Sequence, residues 1–199
     1  MKRKKSFLKN LPEQVNFYKN NHNTKKVRLF FQDEARFGRI SQAKKIWSPP
    51  SRRMELKSQH IREYTYAYSA LEPVTGESVS LILPYATTDC MNIFLKELSK
   101  RYPDDHILLV WDGASWHRSH DLKKPANIDY VQLPPYSPEL NPVEQLWKTL
   151  RQRFFHNVYF ETLKAVENRL ALALNYASTA VEKVKSFALY PYIKYAIST

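Results

Sequence analysis

The sequence predicts an α/β protein with a mixed central sheet flanked by helices, and three observations support this prediction. Short apolar runs that are typical of buried strands alternate with segments whose apolar residues recur at helical spacing. Hydrophobic residues make up 43% of the 199 residues and aromatic residues 14%, which is enough for a substantial core. The chain has neither an internal repeat nor a linker-like segment, so we expect one domain of this kind.

The strands are predicted from apolar runs that end at polar or turn-forming residues. The first run, residues 27–33, is apolar almost throughout, as expected for a central strand covered on both faces. Residues 72–77 separate two later runs and are expected to form a hairpin loop. In chain order, the predicted strands are 27–33, a short one at 46–48, 64–71, 78–83, 106–112 and 128–133.

The helices are predicted from apolar spacing and from capping residues. Thr88 or Asp89 is expected to cap a helix over 90–101. Residues 1–26 are polar and basic, and we interpret them as an N-terminal arm or linker that forms either a short helix or an ordered extension. The apolar and aromatic segment 186–199 is expected to pack on its own domain, with a second protomer of a homodimer as the less favoured alternative. Further helices are predicted over 142–155, 161–176 and 179–186.

The charge of the chain favours a polyanionic partner. Lys and Arg number 31 against 19 Asp and Glu, which gives a formal net charge of +12. Such a balance indicates nucleic acid as the partner, in preference to a basic surface that only maintains solubility. With only three glycines, the chain has no glycine-rich phosphate loop or dinucleotide-binding fingerprint, so no small-molecule cofactor is expected.

Cysteine content and hydropathy indicate the compartment. Cys90 is the only cysteine, which excludes an internal disulfide and a cysteine-based zinc site and is typical of a reducing environment. No apolar run approaches the ~20 residues of a membrane span, so no membrane partner is expected. No apolar signal-peptide core follows the basic N-terminus. We therefore expect a cytoplasmic protein.

Two acidic residues stand where an apolar run stops. Asp33 follows the first run and Asp112 follows VW at 110–111, and strand alternation places each on one face with the apolar residues two and four positions earlier. If these strands are parallel neighbours, both carboxylates lie at the carboxyl edge of the sheet, where sites form in open α/β proteins. The alternative is that Asp merely favours the turn after a strand. Glu34 competes with Asp33 but is expected to project to the opposite side.

Glu144 is the third acidic candidate, and a structural role explains it as well. Asn141, Pro142 and Glu144 stand at the expected N-cap, first and third positions of a helix, which matches a capping box with Asn in place of Ser or Thr. Glu144 also borders the apolar stripe of that helix, and Lys148 and Arg151 follow on its face. This arrangement suits a metal ligand whose site continues into a track of phosphate contacts.

Taken together, the three carboxylates predict a site for Mg²⁺, with Mn²⁺ as a substitute and two ions as the expected number. Hard oxygen ligands without a Cys or His cluster suit these ions better than zinc. Two such ions, roughly 3.5–4 Å apart, catalyse phosphodiester chemistry in many enzymes. On a basic chain, the site therefore indicates phosphodiester hydrolysis or strand transfer.

At these residues the chain resembles the catalytic domain of a DDE transposase, from the bacterial insertion-sequence branch of the mariner-like superfamily. The resemblance rests on QDEARFGR at 32–39, VWDGASWHRS at 110–119 and, most specifically, LPPYSPELNPVEQLWKTLR at 133–151. It implies an RNase H-like fold, a DDE catalytic domain over 27–199, and Asp33, Asp112 and Glu144 as catalytic metal ligands. Such enzymes cut DNA at transposon ends and join the 3′-hydroxyl to target DNA, in DNA transposition, recombination and integration.

The sequence departs from this family in two respects. Asp112 and Glu144 are 32 positions apart, fewer than is common in the family, and a short loop at 118–127 is expected to absorb the difference. Family members carry an N-terminal helix-turn-helix region, whereas only 26 residues precede the first predicted strand here. We therefore expect that this polypeptide alone does not recognise transposon ends by sequence. The rival functions are an RNase H-like nuclease of other specificity and a catalytically silent DNA-binding remnant.

Basic residues near these motifs are the candidates for binding nucleic acid. Arg36, Arg39, Lys148 and Arg151 are expected to contact phosphate, with a solvated surface as the alternative for the two first-named. His117 matches a histidine of the family and is expected either to contact a scissile phosphate or to hydrogen-bond its own loop. Trp47 and Trp116 are candidates for stacking on bases, although aromatic residues more often pack.

Overall fold

The computed structural model describes residues 2–21, 25–41, 44 and 58–198 of the chain. The strand predicted at 46–48 and Trp47 lie outside these residues. Short 3₁₀ turns occupy Ser115–Arg118 and Pro138–Leu140, and a π-helical turn occupies Arg151–Phe155. The helices and strands, in chain order, are α1 (Lys2–Asn21), β1 (Val27–Ile40), β2 (His60–Leu71), β3 (Ser78–Leu83), α2 (Thr88–Arg101), β4 (His106–Trp111), β5 (Ile128–Gln132), α3 (Pro142–Leu150), α4 (Leu163–Thr179), α5 (Val181–Ala188) and α6 (Pro191–Ser198).

The five strands form one mixed sheet in the order β3-β2-β1-β4-β5. Strand β2 is antiparallel to both β1 and β3, whereas β4 is parallel to both β1 and β5. In the parallel register, Leu29 lies opposite Leu108 and Phe31 opposite Val110. The predicted mixed sheet is therefore confirmed, and the strand before Asp33 and the strand before Asp112 are parallel neighbours.

The prediction that the first strand ends at Asp33 is wrong, because β1 continues to Ile40. Parallel pairing with β4 stops at Phe31, but β2 remains alongside and pairs Asp33 with Ser69 and Phe37 with Thr65. From this point β1 pairs with β2 alone and several of its residues are less buried, so the continuous apolar pattern stops. Asp33 therefore marks the end of parallel pairing, not the end of the strand.

The core has two layers, one on each face of the sheet. On one face, alternate residues of the central strands, including Leu29 and Val110, pack against α1, α3, α4, α5 and α6. On the other face, Phe30 and Leu109 pack against α2. The predicted alternation along β1 and β4 is therefore confirmed, and it places Asp33 on the same side as α3.

For the N-terminal residues the sequence allowed two possibilities, a short helix or an ordered extension, and the structure shows a helix, α1. Phe7, Leu11 and Val15 recur at four-residue spacing and are buried in the larger core layer, against β1 and α6. Lysines and an arginine surround this narrow stripe, which is why the segment reads as polar overall. The N-terminal residues are thus packed on the same core as the sheet.

The remaining helices lie close to their predicted positions. Thr87 caps α2, one residue before the earlier of the two predicted capping residues, with its side chain accepting from the backbone N–H of Cys90. The C-terminal segment packs on its own domain, as predicted, and forms α6 with Ile193 and Ala196 buried. In the part of the chain that the structure describes, no helix combines the length and the apolar character needed to cross a membrane.

A buried ion cluster holds the end of the sheet where β1 and β4 begin. Arg28 is only 6% exposed, and its Nε lies 3.1 Å from a carboxylate oxygen of Glu72. Its guanidinium also pairs with Glu77 and lies over the ring of Tyr102, 4.0 Å from the centroid. Because the loop between β2 and β3 supplies both glutamates, Arg28 ties this hairpin to the centre of the sheet.

We expect Arg28→Ala to destabilise the protein by about 3–5 kcal/mol, because Glu72 is left as a buried charge without its partner. The measurement is the free energy of unfolding from urea titration at neutral pH. Lys164→Ala is the matched control, since Lys164 forms an exposed pair with Glu167, and it should cost less than about 1 kcal/mol. Similar losses in both variants would contradict this account of Arg28.

Candidate active site

A cleft opens at the carboxyl edge of the parallel strands, where β1 and β4 part. Strand β4 ends at Trp111, whose carbonyl accepts from the backbone N–H of Leu133 at 2.8 Å. The side chain of Asn141, just before α3, donates to the carbonyl of Gln32 at 2.9 Å. The loop 133–141 thus spans the gap between the two strands. The resulting cleft has a volume of about 530 Å³, and Asp33, Asp112 and Glu144 all line it.

Asp33 lies at the inner wall of the cleft and is fixed by a tryptophan of α3. The indole Nε1 of Trp147 donates to Oδ2 of Asp33 at 3.0 Å. Burial, together with the neighbouring carboxylates of Glu144 and Glu34, raises the pKa of Asp33 well above its usual value. These surroundings therefore disfavour the charged form of Asp33, and a cation beside it would favour that form.

Asp112 directly follows β4 and has one oxygen held and one oxygen open. Its Oδ1 accepts from the backbone N–H of Ala114 at 3.0 Å and lies 3.0 Å from Nδ1 of His117. The hydrogen bond from His117 is the main cause that lowers the pKa of Asp112. Its Oδ2 makes no hydrogen bond to the described part of the chain, and the side chain is 53% exposed. Asp112 is therefore ionised, oriented and open to the cleft.

His117 is buried between two carboxylates. Its Nδ1 faces Asp112, its Nε2 lies 3.1 Å from Oε1 of Glu34, and Trp111 stacks on its ring. Trp116 donates to the same Glu34 oxygen at 3.2 Å. Burial lowers the pKa of His117, but the hydrogen bonds to Asp112 and Glu34 outweigh it and raise the pKa to about 9. A charged imidazole thus links the two acids and holds Asp112 in place.

Glu34 projects to the face opposite Asp33, as the alternation along the strand predicted. Its contacts with His117 and Trp116 give it a supporting position behind Asp112. Sequence reasoning ranked Glu34 only as a competitor of Asp33 and did not predict its pairing with His117. The alternation along β1 indicated which face Glu34 occupies, but only the fold of the loop 112–119 brings Glu34 and His117 together.

Only one of the two hydrogen bonds of the capping box expected around Glu144 is formed. Asn141 does cap α3, since its side chain accepts from the backbone N–H of Val143 at 3.1 Å. The backbone N–H of Asn141, which Glu144 would serve in a capping box, instead donates to the carbonyl of Pro138 at 2.9 Å. Glu144 is exposed and its carboxylate makes no hydrogen bond to the described residues. It is therefore available to the cleft.

The donors of the cleft fit a divalent cation in kind. They are carboxylate oxygens, which Mg²⁺ and Mn²⁺ prefer, and the charge of Glu144 disfavours that of Asp33. Among the described residues, no three His, Cys, Asp or Glu side chains already converge closely enough to hold an ion. Because Glu144 is an exposed side chain on a fixed helix, it can adjust toward the other two acids without a change of fold.

The basic residues predicted to contact nucleic acid divide into two groups. Lys148 and Arg151 line a groove that shares Glu144 with the cleft, and Arg36 and Arg151 line another groove beside it. Arg39 instead pairs with Glu63 and donates to the carbonyl of Phe160. His117 is likewise engaged inside the protein. The structure thus places Lys148 and Arg151 beside Glu144, and Arg36 in the neighbouring groove that Arg151 also lines.

Two residues that line the cleft were not predicted as site residues. Arg118 follows His117, is exposed, and makes no hydrogen bond or ion pair with the described residues. Tyr136 in the loop 133–141 is 96% exposed. In the sequence, Arg118 is one basic residue among 31 and Tyr136 lies within a proline-rich segment, so neither stands out.

Comparisons with known proteins agree with this geometry. The family model described as DDE superfamily endonuclease matches residues 28–167. A curated protein of Sinorhizobium fredii (strain NBRC 101917 / NGR234), the uncharacterized protein y4pE/y4sA, is 35% identical over 127 residues. That match covers 63% of this chain and 94% of the relative.

Solved structures that resemble this one include several of Mos1. The Mos1 transposase paired-end complex with left transposon end has a TM-score of 0.57 at 16% identity, over 92% of this chain and 62% of that chain. A pre-cleavage Mos1 transpososome has a TM-score of 0.61 at 13% identity, over 95% and 61%. The Mos1 mariner paired end complex with Mn has a TM-score of 0.60 at 13% identity, over 96% and 62%. The likeness is one of fold, and this chain spans less than two thirds of the length of the Mos1 chains.

The raised pKa of His117 predicts that stability falls as pH rises. Because the folded pKa of about 9 exceeds the ordinary value of 6.5, protonated His117 stabilises the fold fully below pH ~6.5, and this contribution is lost as pH rises through ~9. Because Gln carries no titrating charge, we expect the free energy of unfolding of His117→Gln to fall less than that of the parent between pH ~6.5 and ~9. Urea titrations without metal provide the measurement. His120→Gln, an exposed neighbour, should behave like the parent. An equal pH dependence in His117→Gln would be inconsistent with the charged link.

Proposed function

Because this chain belongs to the family of DDE superfamily endonucleases, we propose that it is the catalytic domain of a DNA transposase, which cleaves phosphodiester bonds at transposon ends and joins 3′-hydroxyl ends to target DNA. Its mixed five-stranded sheet flanked by helices is an RNase H-like fold. The chain corresponds to only part of the Mos1 chains, so end recognition and assembly belong to the proposal and not to the family assignment.

One observation carries the proposal: three carboxylates from separate elements line one cleft, and basic grooves lead away from it. Asp33 comes from β1, Asp112 from the end of β4 and Glu144 from α3. A cluster of acids repels a DNA backbone unless cations are bound between them. The basic residues beside the cleft would hold the flanking phosphates while the acids face the bond to be cut.

We propose that Asp33, Asp112 and Glu144 hold Mg²⁺, for which Mn²⁺ can substitute, with two ions in the complete site. When bound, such ions activate the attacking water or 3′-hydroxyl and stabilise the leaving oxygen. The protein's own contribution is orientation. Trp147 holds one oxygen of Asp33, and His117 with Ala114 holds Oδ1 of Asp112, which leaves Oδ2 directed to the cleft. Supporting contacts of this kind typically affect metal affinity or activity by about 10- to 100-fold.

We propose Arg36, Lys148 and Arg151 as phosphate contacts. DNA contacts of Arg39 and His117 stay predictions, because both side chains already bond to other residues of the protein. Burial lowers the pKa of Arg151, while Glu144 and Asp33 act in the opposite direction, so this guanidinium senses the site acids. DNA binding as a homodimer at the bacterial nucleoid is part of the proposal.

We expect nicking of supercoiled plasmid DNA in Mn²⁺ and its loss in Asp33→Asn, Asp112→Asn and Glu144→Gln. Each variant removes an ionised ligand, so the rate should fall by more than the roughly 100-fold that marks the upper range for supporting contacts. Glu97→Gln is the matched control, because Glu97 is exposed on α2 and lines neither the cleft nor the groove beside it, and it should nick like the parent. Nicking by Asp112→Asn at the parental rate would refute the assignment of the site.

DNA affinity should fall steeply with salt and depend little on sequence, because phosphate contacts dominate it. Lys148→Gln should reduce the slope of log K against log salt concentration by about one. Lys100→Gln serves as the control, since Lys100 lies near the end of α2, shortly before β4 begins, and therefore at the edge of the sheet opposite the cleft. Fluorescence anisotropy with a labelled duplex provides the measurement. Equal slopes in the two variants would show that the groove beside Glu144 carries no phosphate.

A further inference from the structure

Tyr136 is held in an unusual position at the mouth of the cleft. It is 96% exposed, more than any other large hydrophobic side chain among the described residues. Its φ of 54° lies in the left-handed region, which a tyrosine rarely adopts. Neither burial nor hydrogen bonding of the ring compensates for this conformation in the described part of the chain. Such outliers point to a function when the surrounding structure enforces them.

The surrounding structure does enforce this position. The loop 133–141 is attached to β4 through Leu133, to β1 through Asn141, and to α6 through the hydroxyl of Tyr192, which donates to the carbonyl of Leu140. Within the loop, the hydroxyl of Ser137 donates to the carbonyl of Pro135 at 3.1 Å. Prolines at 134, 135 and 138 further restrict the backbone. The ring of Tyr136 is thus presented to solvent by a fixed loop.

Arg118 lies on the same cleft, with its guanidinium free of bonds to the described residues. An aromatic face and an unpaired guanidinium that share one cleft with the acids match the two parts of a nucleotide, a base and a phosphate. A base inside a duplex offers only its edge, so a tyrosine face requires a base that is unpaired or at a strand end. A paired duplex would instead contact this wall through phosphates alone.

We propose that Tyr136 and Arg118 form a subsite for one unpaired or strand-terminal nucleotide of the DNA held at Asp33, Asp112 and Glu144, with its base stacked on Tyr136 and its phosphate bound by Arg118. The subsite rests on the proposed function, since it assumes DNA in the cleft. Its role is to fix the strand beside the bond that is cut. Because every base has a stacking face, the subsite tolerates different sequences.

The test uses a duplex with a short single-stranded 3′ extension that carries 2-aminopurine, whose fluorescence falls when the base stacks. Binding is measured in Ca²⁺, which carboxylate oxygens also bind, so that the acids are screened, and a gel checks that the DNA stays uncut. We expect the parent protein to quench the probe at one or two positions of the extension. Tyr136→Phe should quench equally, whereas Tyr136→Asn should abolish the quench and lower affinity for the extended DNA by about tenfold. Asn is chosen because it tolerates the left-handed backbone, so Tyr136→Asn should fold with an unchanged or higher melting temperature.

Two further variants separate the parts of the subsite. Arg118→Gln should weaken binding and reduce the salt slope by about one, yet leave the quench at saturation intact. Phe17→Ala is the control for loss of an exposed aromatic, since Phe17 is 60% exposed on α1, far from the cleft lining. It should match the parent in every measurement.

The subsite is overturned if the parent fails to quench at any position, or if Tyr136→Asn quenches as the parent does. Metal-dependent nicking of plasmid DNA by the parent is measured separately. If the parent does not nick DNA, the proposed function is wrong. If the parent nicks DNA but never quenches the probe, only the proposed subsite is wrong.

Discussion

The candidate cleft depends on the point at which β1 and β4 stop pairing. Up to Phe31 and Val110 the two strands are held side by side by parallel pairing. Beyond this point β4 ends while β1 continues on the support of β2. The gap is therefore a property of unequal strand lengths, and Asp33 and Asp112 occupy its two sides.

The electrostatics of the cleft follow from this geometry. Burial, with the charges of Glu144 and Glu34, raises the pKa of Asp33, whereas the hydrogen bond from His117 lowers the pKa of Asp112. Two acids that line one cleft thus have opposite environments. Asp112 is prepared to be an anion before anything binds, while Asp33 gains most from the arrival of a cation.

Much of this arrangement is predictable from sequence, and the exceptions have physical reasons. Alternation placed Asp33 and Glu34 on opposite faces, whereas the parallel pairing of the two strands was only a condition, which the structure fulfils. The end of β1 was misplaced because a polar residue after an apolar run reads as a turn, although β2 continues to pair there. The capping of α3 by Asn141 was readable, but the competing bond from its backbone to Pro138 depends on a 3₁₀ turn that local spacing does not specify. His117, Glu34 and Arg118 converge through a loop without regular periodicity, so their contacts could not be deduced.

The two ends of the described chain meet beside the loop that delivers Glu144. Helix α1 packs against α6, Lys4 pairs with Glu139 of the loop, and Tyr192 of α6 binds its backbone. The terminal helices are therefore structural supports of the catalytic loop. A frameshift that removed only α6 would leave Asp33, Asp112 and Glu144 in the sequence. It would nevertheless remove the contact of Tyr192 that supports the loop leading to Glu144. In a DDE superfamily endonuclease of this fold, the presence of these three acids alone is consequently a poor measure of an intact cleft.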